Sequence, residues 1–151
     1  FLPTKEKLPN WFSTHDWGLG VKQVKTDFID TDIGLADFSY KSFSIKISTP
    51  ARAMLEQLYL VKSEQDYIEA YELMEGLNTL RPKEVQLLLQ ASNSAKVNRL
   101  FLYLAQKAGH GWFKHLDISK VPLGTGKRQL HKGVYIGEYQ ITIPKSLEEY
   151  T

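Results

Sequence analysis

The chain has 151 residues, 42% of them apolar, and a formal net charge of +2, enough for one buried core, so a single domain over 1–151 is expected rather than a tail or linker. No apolar run approaches a membrane span and the first residues lack the apolar stretch of a signal peptide, so no membrane contact is expected. The absence of cysteine excludes disulfides and cysteine-ligated metals and makes the reducing cytoplasm the default location.

"FLPTKEKLPNWF" opens the chain with two prolines and predicts an irregular segment pinned by Trp11 and Phe12. A phenylalanine in first position leads to the expectation that sequence upstream is missing. "GVKQVKTDF" and "FSYKSFSIKIS" read as strands of one sheet with a single buried face, since Phe43, Ile45 and Ile47 alternate with polar residues. Between them, "DFIDTDIGLAD" holds Asp27, Asp30, Asp32 and Asp37. Gly34 stands at the fifth position from Asp30, where a calcium loop needs an oxygen ligand, so an exposed acidic turn is predicted.

Thr49-Pro50 predicts a helix start, with Ala53, Met54 and Leu58 on its apolar side and an end near Val61. Ser63 and Asp66 form a variant capping box before Tyr67, Ile68, Tyr71 and Met74, and Gly76 stops that helix. A third begins at Pro82 and carries Val85, Leu88 and Leu89. "AKVNRLFLYLAQKAG" is the strongest helical pattern, with Val97, Leu100, Phe101, Leu104 and Ala108 on a buried stripe. Lys96, Arg99, Tyr103 and Lys107 recur on a second face. In "GHGWF", Trp112 and Phe113 read as core closure, with base stacking as the alternative for the aromatics.

"LGTGKRQLHKG" (123–133) predicts a glycine-flanked basic hairpin with a strand around Arg128 to Lys132. Gly124 and Gly126 are too close together for a nucleotide-phosphate loop, and Arg128 occupies the place of the metal-binding hydroxyl. "YQITIP" then alternates Tyr139, Ile141 and Ile143 until Pro144 ends the strand. The architecture predicted is α+β, a largely antiparallel sheet packed against several helices.

The small net charge hides a partition. Residues 1–80 carry 8 Lys/Arg against 12 Asp/Glu, residues 81–132 carry 10 against 2, and residues 133–151 carry 1 against 3. That middle block argues for attraction to a polyanion, though not for any fold. The candidate nucleic-acid contacts are Lys96, Arg99, Lys107, Lys120, Lys127, Arg128 and Lys132, with Tyr103, His110 and Trp112 as stacking or structural residues; a solvated basic face is the competing reading. His15, His110 and His115 fit no catalytic or zinc spacing. No catalytic residue, metal or cofactor is predicted.

"FSIKISTPARAMLEQLYLV" and the run from "LNTLRPKEVQ" through "GKRQLHKGVYIGEYQITIPK" resemble the carboxy-terminal domain of the AbiEi antitoxins, transcriptional regulators of type IV toxin-antitoxin systems. The resemblance spans roughly Leu8 to Pro144. It is carried by Ser48 to Leu55, Lys96 to Ala105, His110 to Phe113 and Leu123 to Arg128. It implies a non-catalytic regulator acting in bacterial abortive-infection defence. Its usual amino-terminal winged helix-turn-helix, which binds operator DNA, has no counterpart in this chain. It also implies functional pairing with a nucleotidyltransferase-like toxin without a stable complex, and a basic surface mapping onto Lys96, Arg99, Lys127 and Arg128. A protein-interaction module that binds no nucleic acid is the alternative.

Overall fold

Four amphipathic segments form the helices that the caps and periodicity predict. The computed structural model describes residues 1–18 and 20–151. After a five-residue α1 (Asn10–Thr14) come α2 (Pro50–Leu60), α3 (Glu64–Glu75), α4 (Pro82–Ala91) and α5 (Ala95–Lys107). Proline occupies the first turn of both α2 and α4, where its missing N–H has no partner to lose. The Thr49 hydroxyl does not cap α2 but donates to Glu84 Oε1 at 2.6 Å, tying α2 to α4. At α3 the capping box is complete: Asp66 N–H donates to Ser63 Oγ at 3.3 Å, and Ser63 N–H donates to the Asp66 carboxylate at 2.8 Å. The Ser63 N–H, then the Lys62 N–H, which also donates to the carboxylate at 2.8 Å, hold the Asp66 pKa below its ordinary value.

Helix α5 lies at the centre of the core. Val97, Leu100, Phe101 and Leu104 are fully buried as the stripe predicts, but so are Leu102 and Ala105 on other faces. It packs on α2 and α3 and also meets the carboxy-terminal sheet, where the Tyr103 and Tyr139 rings approach edge to face at 6.4 Å. A helix covered on several sides has no fully solvated second stripe, which decides the fate of its cations.

The strands form two small sheets. β1 (Leu35–Tyr40) and β2 (Phe43–Ser48) make an antiparallel ribbon, and β3 (Arg128–Gln129), β4 (Val134–Ile136) and β5 (Ile141–Ile143) form a sheet of order β3-β5-β4. β5 is antiparallel to β4 but parallel to β3, so the α+β class holds with a mixed sheet. The expected basic hairpin is therefore corrected: the two sides of the loop flank β5 instead of pairing with each other. "GVKQVKTDF" is not a strand either. It makes an isolated bridge with Leu2, through Leu2 N–H to Val24 O and Thr26 N–H to Leu2 O, and Phe28 O accepts from Asn93 N–H at 2.9 Å, too little to extend a ladder. Nor does β1–β2 bury a face, since Phe38, Tyr40, Phe43, Ile45 and Ile47 all stay exposed.

Two further segments differ from expectation. Trp11 is 65% exposed and its ring meets Phe12 and Trp17 at 5.8 and 6.4 Å rather than the core; Trp17 closes this local cluster, its Nε1–H donating to Phe12 O at 3.0 Å. Beyond Pro144 the chain forms α6 (Lys145–Glu149), which buries Leu147 and packs on α3. Among the described residues no helix is long and apolar enough to cross a membrane.

Candidate functional site

The basic loop and helix α5 meet, and buried polar side chains of α5 make the junction. Arg99 is 2% exposed. Its Nε–H donates to Leu123 O at 2.6 Å, and Nη1 donates to Gly126 O at 2.8 Å and Gln140 O at 3.1 Å. One residue earlier, Asn98 Nδ2 donates to Pro122 O at 2.8 Å, Ser92 O at 3.2 Å and Leu89 O at 3.3 Å. A guanidinium suits this position because its fork of donors reaches several carbonyls from one planar group. Gly124, at φ +66, completes the approach: a Cβ there would lie 3.2 Å from both Ala95 Cβ and an Arg128 terminal nitrogen.

The expectation of Arg99 as an outward, phosphate-facing cation is corrected by this geometry. Burial first, then the adjacent Arg128 charge, lowers its pKa. The rest of the predicted stripe divides. Lys96 is half-buried and its Nζ donates to Val61 O at 2.6 Å; burial, followed by the Lys62 charge, lowers its pKa. Lys107 stands about 16 Å further along the helix axis, with its Nζ 3.1 Å from Glu148 O and 5.1 Å from the Tyr71 ring centre. The four residues do not make one exposed face.

The cations of the loop itself face solvent. Lys127, Arg128 and Lys132 are exposed, and among the described residues none of them enters an ion pair. Lys127 Nζ sits 5.2 Å from the centre of the Tyr135 ring, while Arg128 is fixed at its backbone by an N–H to Gln140 O bond of 2.9 Å. Between this loop and the start of α5 opens a cleft of about 520 Å³, bordered by Asn93, Lys96, Gly124 and Arg128, with no carboxylate in its lining. Lys120, by contrast, is paired with Asp117 at 3.0 Å.

The aromatic candidates are structural in this arrangement. Trp112 is 5% exposed, and its Nε1–H donates to Leu77 O at 2.8 Å. His110 stacks on it at 5.2 Å between ring centres and bonds Met74 O through Nε2 at 2.6 Å. Tyr103 is half-buried, and burial raises its pKa to about 12. Core closure, favoured for "GHGWF" on the sequence, is what the structure shows.

Three polar residues escaped sequence reasoning. Asn98 stands within the apolar stripe of α5, which is itself the signal of a buried tie. Tyr67 is fully buried and donates to Leu130 O at 3.2 Å, anchoring the far end of the loop to α3. Arg52 is buried on α2 and donates to Thr31 O at 2.6 Å, Ile33 O at 2.9 Å and Glu56 at 3.1 Å, so it holds the acidic turn from inside. Among the described residues no cluster of three or more metal-ligating side chains occurs.

Fold and surface thus define a small α+β protein whose most accessible chemistry is a cationic loop braced against a buried helix. The chain belongs to the AbiEi antitoxin family: the family model described as "Transcriptional regulator, AbiEi antitoxin, Type IV TA system" matches residues 1–144. That is a class of regulators and antitoxins, not of enzymes. Neither the curated proteins nor the solved structures contain a match.

Proposed function

We propose that this chain is a single, carboxy-terminal effector domain of a type IV antitoxin, acting in the cytoplasm, and that its basic loop contacts DNA phosphates. Family membership supports the antitoxin role. The phosphate role rests on Lys127, Arg128 and Lys132, exposed and unpaired on a loop whose backbone Arg99 holds in place, beside a cleft with no carboxylate. Lys96 borders that cleft; Lys107 and Lys120 lie outside it and add long-range attraction. Such contacts position a protein on a duplex without reading its sequence, so operator choice falls to other elements of the complete regulator.

Fluorescence anisotropy with two unrelated duplexes across a salt series tests the loop. The double variant Lys127→Gln/Arg128→Gln is expected to bind both duplexes more weakly by similar factors. It should also flatten the log-affinity against log-salt slope by about two, roughly one per lost phosphate contact. Unchanged affinity and slope in a folded double variant refute the contact. The antitoxin role is tested by growth rescue in cells expressing the matching nucleotidyltransferase-like toxin. Failure of both the chain and its intact parent protein to rescue growth, with both well expressed, refutes it.

A further inference from the structure

The β1–β2 ribbon carries an apolar face that the chain leaves uncovered. Its register pairs Ala36 with Ile47, Phe38 with Ile45 and Tyr40 with Phe43. Alternation therefore puts all six side chains on one face, with Leu35, Asp37, Ser39, Ser44, Lys46 and Ser48 on the other. The five large residues of the apolar face are between 43% and 55% exposed. A two-stranded ribbon is marginal in water without a surface to pack on. This one is tied at its base, where Thr49 N–H donates to Gly34 O at 2.7 Å and Ser48 Oγ donates to Glu56 at 2.7 Å.

We infer that this face is the interface of a homodimer, in which the ribbons of two copies pack face to face about a twofold axis. Charge selects the occupant. None of the six side chains of the face is charged, Lys41 at the turn lays its Nζ 5.4 Å from the Tyr40 ring centre, and the ionic pair of Lys46 with Asp37 at 3.3 Å belongs to the opposite face. A second copy whose ribbon runs the opposite way keeps the two Lys41 tips apart at the two ends of the contact, whereas residues 1–80, with 12 acidic against 8 basic side chains, repel a nucleic acid that stacks on Phe38, Tyr40 and Phe43. Area agrees: half-exposed aromatics and isoleucines present on the order of 500 Å² per copy, and two such faces bury on the order of 1,000 Å², the lower end of a specific interface. Packing through strand edges instead would leave the apolar rows in water. An interface of this kind is isologous, so each Phe38 faces the Ile45 region of its partner copy and the reverse. The inference does not depend on the DNA-contact proposal, since the ribbon and the basic loop share no residue.

Sedimentation equilibrium of the full chain tests it. The wild type is expected to dimerise with a dissociation constant on the order of 10 µM, as befits a small interface. Ile45→Glu brings like charges together in an apolar contact and is expected to weaken the dimer on the order of a hundredfold, with far-UV circular dichroism unchanged. A wild type that stays monomeric at every concentration, or a dimer that survives Ile45→Glu, overturns the inference. Because the chain lacks cysteine, a second arm is unambiguous and does not depend on the charged variant folding. Treated with a bismaleimide at concentrations where the wild type dimerises, Phe38→Cys is expected to form a covalent dimer, while Lys114→Cys, on an exposed turn elsewhere, is not. Failure of Phe38→Cys to cross-link also overturns it. Single-stranded DNA that binds a monomeric chain and loses affinity in Ile45→Glu assigns the face to nucleic acid and overturns it equally.

Discussion

Replacing Arg99 with methionine separates a cation that holds the fold from one that holds DNA. The substitution keeps the length of the side chain and removes three hydrogen bonds, to Leu123, Gly126 and Gln140 carbonyls. Bonds to a charged donor contribute about 1.5–3 kcal/mol each, but their sum overstates the loss. Burying the guanidinium offsets part of it, and Gly126 and Gln140 are exposed residues whose carbonyls regain water. The expected destabilisation is about 3 kcal/mol, which for a chain of this size lowers the melting temperature by about 6–12 °C. Lysine at 99 keeps the charge and loses the fork, so about 2 kcal/mol is expected there. Urea unfolding followed by emission of the buried Trp112 measures both. At a temperature where both proteins are folded, the salt slope of DNA binding for Arg99→Met is expected to match the wild type. Stability within about 0.5 kcal/mol of wild type, together with a slope reduced by about one, would refute the clamp and restore Arg99 as a phosphate contact.

Asn98→Asp turns a donor to three carbonyls into a carboxyl group facing them, and is expected to cost about 3 kcal/mol or more in the same urea assay; a near-neutral result would mean the side chain is not held there. Gly133→Ala, at φ +150, would place its Cβ 2.1 Å from Ile143 O, so a loss of about 2 kcal/mol or more is expected, visible as a lower melting temperature. Burial raises the pKa of Tyr67 and Tyr103 to about 12 from the ordinary 10.0. Because the folded values lie above the unfolded one, the stability tied to these neutral phenols is complete below about pH 10 and is lost as pH rises through about 12. Tyrosinate absorbance and circular dichroism should show their ionisation accompanying alkaline unfolding, and ionisation of both near pH 10 with unchanged dichroism would contradict this.

The helices were legible because each carries its own punctuation. Thr49-Pro50, Ser63 with Asp66, and Arg81-Pro82 mark starts that need no tertiary information. A strand near Arg128 was legible, but β4 and the parallel pairing of β3 with β5 were not, because the pairing is set by tertiary packing rather than by local sequence, and α6 is too short for periodicity to reveal. The charged block was visible in composition, yet its availability was not. Lys96, Arg99 and Lys107 all donate to carbonyls supplied by distant segments, and Lys120 is paired. Spacing of three and four placed those residues on one side of α5, but it carried no information that the sheet and α3 would cover that side. The loop cations Lys127, Arg128 and Lys132 stay exposed, for the complementary reason that the glycines around them leave little bulk to bury.

The strand order β3-β5-β4 also has a temporal meaning. The central strand is the last of the three to leave the ribosome, so β3 and β4 emerge without a neighbour and remain unpaired until Ile141 to Ile143 arrive. Arg99 waits as well, because one of its three carbonyls belongs to Gln140. Helices α2 to α5 can gather during synthesis, when amino-terminal parts fold first, while the basic loop acquires its shape in one late, concerted step. A nascent chain halted before Ile141 would present its cationic stretch as an unshaped polymer, available to any polyanion and selective for none.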